Sequence, residues 1–427
     1  MLPNQSYRLK NGMQVILHED HRTPFIAMQV TYHYGPLYEP AGSGGVAHLL
    51  EHLLQGHTVH LPTSTPSSQL QRIGAVQIRL RLEPDRTDSW AVVPSANLAR
   101  ALWAESDRMG FMLPAVRDED IAYQKKLIGL EDRLRLSTVP YVVGDEQLSA
   151  ALIPLGQPVS GNWRGIVPAV RKRSELWATI SRFYSPSNAT LVLAGDFIHE
   201  SAVGLVEKYF GTLNALPAPV LPQPEVAAIE REVVIRQQDS VARRPRIRLG
   251  WLVPALKQKA SAAAALLELL LDRGTTGRLQ EELVRKGGLA LEVNAAHIVT
   301  APQSLLFITA YAEQEAALPQ ILNGIDSVLD KLASTEVSAE ELAAVKRLYS
   351  NQKLLQLADI LKKARLLQTY NHYLGTPDGL EQELERVEQV SAADIQKFAR
   401  DYLAATHRVV LYSTVAPTVI ISGEKKP

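Results

Sequence analysis

The segments FYSPSNATLVLAGDF (183–197) and RDYLAATHRVVLYST (400–414) share a pattern, in which a tyrosine precedes a polar stretch and then a run of apolar residues. Aligning the two tyrosines gives an offset of 218 residues. The same offset places the helical stretch AHLLEHLL (47–54) on ALLELLLD (265–272). Because two separate pairs of segments agree on one offset, the sequence predicts two homologous halves.

Strand-like and helix-like segments alternate along the chain, as their periodicity shows. Strands are predicted at 13–19, 25–33, 74–83 and 189–197, and helices at 47–55, 97–111, 118–136 and 334–365. The prolines of LPAPVLPQPE (216–225) fix φ and remove backbone donors, which is typical of an extended linker. We therefore predict an α+β fold: two homologous α/β domains, each a mixed, largely antiparallel sheet with helices packed on it. The predicted boundaries are 1–215, a linker at 216–228, and 229–427.

Composition excludes several classes of protein and of site. The chain has 427 residues, of which 46% are hydrophobic, so it can bury a large core. Lysine plus arginine and aspartate plus glutamate each number 45, and this balance argues against nucleic-acid binding. The absence of cysteine excludes disulfides, thiolate metal sites and a cysteine nucleophile. No apolar run is long enough to span a membrane.

The segment GGVAHLLEHLLQGHT (44–58) carries the clearest chemical signal. His48 and His52 are four residues apart, so on a helix their imidazoles share one face and can bind one Zn²⁺. Glu51 lies near that face but is offset from both histidines, which suits a base that acts on water beside the ion. This order of residues, H-x-x-E-H, is the inverted zincin motif. At the offset of 218 the second half has Leu266, Leu269 and Leu270 at the corresponding positions, so the fold itself does not require polar side chains there.

The motif, the two halves and the strand ATLVLAGDF together resemble the pitrilysin/insulinase-type (M16) zinc metallopeptidases. More narrowly, the chain resembles the bacterial short-chain members related to the mitochondrial processing peptidase. The resemblance implies a zinc-dependent endopeptidase with one Zn²⁺ per chain, and a glutamate on a later helix as the third metal ligand. Glu131, in QKKLIGLE (124–131), matches that position; without the resemblance, a solvent-exposed glutamate paired with Arg135 is an equally good interpretation.

The chain departs from the family pattern at three places. Gln124 replaces a glutamate that lies near the metal ligands, so it can donate or accept a hydrogen bond but carries no charge. Ile78-Arg79 stands where many members have Asn-Ala on a strand that pairs with the peptide. In the second half, Val284 and Leu291 replace an arginine and a tyrosine that contact substrate in active members.

These departures imply that the chain needs a partner, because groups that hold the peptide and polarise its carbonyl typically supply several kcal/mol of transition-state stabilisation. In some bacteria the family divides these roles between two subunits, so the resemblance implies the zinc-bearing subunit of a hetero-oligomer, with a homologous partner that lacks H-x-x-E-H and supplies the Arg/Tyr pair. The alternative is a degenerate, non-catalytic scaffold or binding subunit. The expected substrates are short or unfolded peptides, and the compartment stays open between the bacterial periplasm, after removal of a signal, and the cytoplasm.

Overall fold

The computed structural model describes residues 2–39, 44–153, 166–221 and 228–416. The strands are β1 (Gln5–Arg8), β2 (Gln14–Glu19), β3 (Phe25–Tyr32), β4 (Val76–Leu82), β5 (Thr87–Pro94), β6 (Ala189–Gly195), β7 (Val233–Asp239), β8 (Arg246–Val253), β9 (Glu292–Ile298), β10 (Ser304–Tyr311) and β11 (Arg408–Val415). The helices are α1 (Val46–Leu54), α2 (Pro66–Arg72), α3 (Leu98–Ala115), α4 (Asp118–Thr138), α5 (Val142–Leu152), α6 (Arg173–Phe183), α7 (His199–Phe210), α8 (Ser261–Leu271), α9 (Leu318–Ser334), α10 (Ala339–Gln356), α11 (Ile360–Leu374), α12 (Gly379–Glu388) and α13 (Ala392–Tyr402).

The strands form two sheets with the same topology. The first has the order β1-β2-β6-β3-β5-β4 and the second has the order β7-β11-β8-β10-β9. Apart from the additional β1, each sheet has one parallel pair, β2 with β6 and β7 with β11, and its other pairs are antiparallel. The predicted α+β fold with two similar sheets is therefore confirmed. Residues 222–227 of the predicted linker lie outside the described residues, and the domain boundaries stay a prediction.

Two helices are exchanged between the halves. Leu148 and Leu152 of α5, from the first half, pack with Phe307 and Leu411 of the second sheet. In return, α11 of the second half covers the first sheet. Because each sheet is covered on one face by a helix of the other half, the halves interlock.

Polar contacts fix α11 on the first sheet. Asn371 exchanges hydrogen bonds with Gln14 (2.8 and 3.1 Å), and buried Lys363 forms an ion pair with Asp20. These polar groups lose hydrogen bonds to water when α11 packs against the first sheet, and in this position of the helix they bind one another instead. They therefore fix where the helix sits as well as holding it there.

The prediction of one helix over 334–365 is wrong. The chain forms α10 and α11 with a break at residues 357–359, and the side chain of Asp359 caps α11 by accepting a hydrogen bond from Lys362 N at 3.0 Å. The helical pattern runs through the break because both helices are amphipathic. The break is needed because α10 packs on α8 of its own half, whereas α11 crosses to the other sheet.

We expect Arg108→Met to lower the free energy of unfolding by about 3 to 5 kcal/mol. Arg108 lies on α3 with 1% of its surface exposed, and it donates to Leu54 O (2.6 Å) and to the carboxylate of Glu105 (3.1 and 3.2 Å). Methionine would leave the buried Glu105 without its cation. Urea unfolding measures the change, with Arg100→Met as the exposed control on the same helix, expected to cost under about 0.5 kcal/mol. A loss below about 1 kcal/mol for Arg108→Met would contradict this account.

Candidate metal centre

Charged side chains hold both ends of α1, the helix of the H-x-x-E-H motif. At the N-terminus, the carboxylate of Glu39 accepts hydrogen bonds from Gly45 N (2.9 Å) and Ala47 N (2.5 Å). Burial raises the pKa of Glu39 to about 7, against the effect of these N–H groups. At the C-terminus, Arg108 donates to Leu54 O. Ionised Glu39 at the start and Arg108 at the end both stabilise the helix dipole, and their hydrogen bonds to backbone groups hold both ends of α1.

Gly45 lets the chain enter α1 at a position that no other residue fits well. Its φ is +87°, in the left-handed region that glycine adopts without strain. A Cβ atom there would lie 2.3 Å from the carbonyl oxygen of Ile166. The close approach brings the chain around Ile166 against the start of the helix.

His48, His52 and Glu131 converge on one point. The two Nε2 atoms lie 3.2 Å apart, and Glu131 Oε2 lies 3.4 Å from His52 Nε2 and 3.8 Å from His48 Nε2. Ligands about 2.0 to 2.1 Å from a tetrahedral ion are about 3.3 Å from one another, so the spacing fits a single zinc ion. When neither Nε2 carries a proton, the two lone pairs face each other, and a cation between them binds both. Among the described residues, this is the group of His, Asp and Glu side chains close enough to share an ion.

Glu131 reaches this point because of how α4 is anchored. Ile121 and Ile128 of α4 are fully buried, whereas the side chain of Glu131 is 45% exposed. Glu131 therefore lies at the rim, with its carboxylate turned to the histidines of α1. The alternative that it pairs with Arg135 does not occur, since Arg135 binds Asp132 and Glu146 instead.

Gln124 contacts His52 at Nδ1, the ring nitrogen that does not face His48. Its Oε1 lies 3.2 Å from His52 Nδ1 and accepts a hydrogen bond when that nitrogen carries the proton. This arrangement leaves the lone pair of Nε2 pointing at the metal position, which is the usual role of a group that supports a ligating histidine.

We expect Gln124→Leu to weaken zinc binding about 10- to 100-fold, because the supporting hydrogen bond to His52 is lost while side-chain size is kept. Competition with a chelating dye measures the affinity. Gln124→Glu is the matched variant, and it should bind zinc at least as tightly as the unmodified chain. Equal affinities for Gln124→Leu and the unmodified chain would show that the contact does not support the ligand.

Glu51 lies beside the three candidate ligands, and its carboxylate contacts strand β4. Its Oε1 accepts a hydrogen bond from Leu82 N (3.0 Å) on β4, and its Oε2 is 4.0 Å from His48 Nε2. The carboxylate therefore lies between the metal position and an edge strand of the first sheet. This is the offset that the sequence predicted for a base.

The second half has a counterpart of this site without the metal ligands. The carboxylate of Glu268 on α8 accepts a hydrogen bond from the backbone N–H of His297 on the edge strand β9, as Glu51 does from β4. Glu268 is thus the structural counterpart of Glu51, and the two residues are 217 positions apart. At this offset, Ala265 corresponds to His48 and Leu269 corresponds to His52. The offset of 218 is therefore wrong by one residue at this helix, because the loops that connect strands to helices differ in length. The second half keeps an acid but lacks both histidines.

The substrate-contacting positions of the family carry apolar residues here. Val284 packs against the core of the second half, and Leu291 is 41% exposed. Arg285, next to Val284, forms an exposed ion pair with Glu281 at 3.1 Å. No polar side chain thus replaces the expected arginine and tyrosine at positions 284 and 291.

Comparison with known proteins relates the chain to peptidase M16 and to zinc proteases. A family model described as the peptidase M16 inactive domain matches residues 172–349. The zinc protease PqqE of Helicobacter pylori is 25% identical over 426 residues, which cover 96% of this chain and 92% of that protein. Residues 172–349 thus match a peptidase M16 domain, and the chain is similar over most of its length to a zinc protease. A crystallised protease from H. pylori has the same fold, with a TM-score of 0.87 at 23% identity over 98% of this chain and 100% of that one.

A second solved structure with a similar fold differs in length. The periplasmic protease PqqL of Escherichia coli gives a TM-score of 0.78 at 18% identity, over 96% of this chain but 47% of that one. The M16 model for the inactive domain begins at residue 172, so it covers none of His48, Glu51, His52 or Glu131. The word inactive therefore describes a region outside the candidate metal centre. In the described residues, no helix is long and apolar enough to cross a membrane.

Proposed function

We propose that the chain is the zinc-bearing subunit of an endopeptidase that hydrolyses short or unfolded peptides. The observation that carries the proposal is the convergence of His48, His52 and Glu131, with Glu51 held between them and an edge strand. Three protein ligands leave the fourth position of a tetrahedral ion for water or substrate, which is the pattern of a catalytic zinc site. The names of the curated M16 relatives, zinc proteases, agree with this chemistry.

Each residue has one role in the proposed reaction. His48, His52 and Glu131 would hold the zinc ion, which lowers the pKa of a water and polarises the scissile carbonyl. Glu51 takes a proton from the attacking water and passes it to the leaving amine. Its hydrogen bond to Leu82 N keeps the carboxylate at the edge of β4, where a peptide strand can be added.

A partner subunit would complete the site. Val284 and Leu291 cannot donate a hydrogen bond to a peptide or to a developing oxyanion, so this chain alone lacks those groups. PqqL of E. coli contains about as much chain again as this one, which gives room for a second homologous unit. We infer a hetero-oligomer with a homologue that lacks H-x-x-E-H and carries an arginine and a tyrosine seven residues apart.

The apolar residues Val284 and Leu291 also favour a second candidate function. An M16 chain without substrate-positioning groups could bind peptides or a partner without cleaving them. In that case, zinc would have a structural role or be absent.

Digestion of an unfolded-peptide mixture, followed by mass spectrometry, distinguishes the two candidates. The zinc-loaded chain is tested alone, and together with a homologue that lacks H-x-x-E-H and carries the arginine and the tyrosine. It is also tested as the double variant Val284→Arg/Leu291→Tyr. We expect cleavage with the partner to exceed that of the chain alone by about 100-fold or more, and the double variant to cleave faster than the unmodified chain. Zinc-loaded protein that cleaves nothing in any of these forms would favour the binding subunit.

A further inference from the structure

The free edge of β4 carries an unusual set of charges. β4 is the last strand of the first sheet, and its side chains alternate between two faces. Ile78 and Leu80 are half-buried against the core of the first half, on the same face as the buried Leu82. Arg79 and Arg81 lie on the opposite face and are exposed.

The outward backbone groups of β4 can be assigned from the contact with Glu51. Leu82 N points away from β5, because it donates to Glu51. Groups that point the same way recur at every second residue of a strand, so the N–H and C=O of Leu80 also lie at the free edge. A peptide that pairs with this edge would run toward Glu51 and end its pairing near Leu82.

Residues that face each other in a pair of strands share a side of the sheet, with Cβ atoms about 4.5 to 5.5 Å apart. The peptide residues opposite Arg79 and Arg81 therefore place their side chains on the arginine face. The peptide residue opposite Arg79 is three residues away from the one that faces Leu82, and the peptide residue opposite Arg81 is one residue away from it.

A third arginine approaches this face from the second half. Trp90 of β5 lies directly opposite Arg79, and the guanidinium of Arg365 on α11 lies 5.0 Å from the centre of the Trp90 ring. Neither Arg79 nor Arg365 forms an ion pair with a described residue; Arg79 donates only to Ile78 O, at 3.0 Å.

The carboxylates nearby do not cancel this charge. Glu83 binds Arg81 at 2.8 Å, but the side chain of Arg81 is 57% exposed, so its guanidinium can also reach a peptide carboxylate at the free edge. Asp88, opposite Arg81 on β5, is already engaged by Arg86 at 3.0 Å and by Thr31. The arginine face thus keeps a surplus of positive charge beside the free edge.

We propose that Arg79 and Arg81, with Arg365 behind them, select peptides that carry aspartate or glutamate at alternate positions on one side of the scissile bond. The inference rests on the proposed function, because it assumes that a peptide pairs with β4. It names the substrate class of that site: acidic, extended peptides.

Binding to the zinc-loaded Glu51→Gln chain tests the inference without cleavage. Three fluorescein-labelled, alanine-rich peptides of ten residues carry glutamate, glutamine or lysine at every second position, and fluorescence anisotropy gives their Kd values. We expect the glutamate peptide to bind about tenfold more tightly than the glutamine peptide, as two cross-strand ion pairs allow. The lysine peptide should bind most weakly, and the differences should shrink as salt rises.

Arg79→Glu/Arg81→Glu should reverse the order of the glutamate and lysine peptides and change the Kd of the glutamine peptide by less than about twofold. Arg243→Glu/Arg244→Glu, in the loop after β7, is the control with the same change of net charge, and it should keep the preference. Equal Kd values for the three peptides, or an unchanged preference in Arg79→Glu/Arg81→Glu, would overturn the inference and leave the proposed function standing. If none of the three peptides binds, β4 does not take up a peptide in this chain and the inference is overturned, whereas the proposed function is decided separately by cleavage in the presence of the partner.

Discussion

Glu51→Gln should reduce peptide cleavage by the zinc-loaded complex by at least about a thousandfold while zinc stays bound. General acid–base catalysis contributes about 10² to 10⁴ in rate, and glutamine cannot take up a proton. The amide oxygen can still accept the hydrogen bond from Leu82 N, so α1 and β4 should keep their places. Single-turnover kinetics on a fluorogenic peptide, with metal analysis of the same sample, measures both quantities.

Glu268→Gln supplies a matched control for this prediction. Glu268 has the same helix position and the same kind of contact to an edge strand, but no histidines lie beside it. Cleavage should therefore be unchanged in Glu268→Gln. Comparable losses in the two variants, or full activity in Glu51→Gln, would remove Glu51 from the role of base.

His52→Ala should weaken zinc binding several hundredfold and abolish cleavage at limiting zinc. Zinc binding worth about 10 to 16 kcal/mol, shared among about four ligands, assigns roughly 2.5 to 4 kcal/mol to one imidazole. Glu131→Gln should weaken binding as well, because its carboxylate is one of the three converging groups and the amide carries no charge.

Affinity is measured by competition with a chelating dye, and cleavage is measured at equal bound zinc. His407→Ala is the control, since His407 is exposed, ends a short 3₁₀ helix directly before β11 and is not part of the candidate metal centre. Unaltered zinc affinity in His52→Ala would show that the ion is held elsewhere.

Short-range spacing predicted the parts of the site that lie on one helix. His48 and His52 share a face because they are four residues apart, and Glu51 is offset because it is three residues from His48. Glu131 is different, because its meeting with α1 depends on how Ile121 and Ile128 dock α4. Only the family resemblance pointed to it.

Several features left no signal in the sequence. Glu39 reaches the N-terminus of α1 from the preceding loop, and Arg108 reaches its C-terminus from α3; neither forms a recognisable motif with the residues that it contacts. The exchange of α5 and α11 depends on packing between the halves, which periodicity within one helix does not reveal. For the same reason, one helix was predicted over 334–365, although only the break at residues 357–359 lets α11 cross to the first sheet.

A crystal grown with one equivalent of zinc, with anomalous data collected at the zinc absorption edge, tests the central claim most directly. The account predicts one peak, about 2.0 to 2.2 Å from Nε2 of His48, Nε2 of His52 and a carboxylate oxygen of Glu131, with Glu51 outside bonding distance. A zinc ion bound by other residues, or a clear density map with no peak between these three side chains, would contradict it.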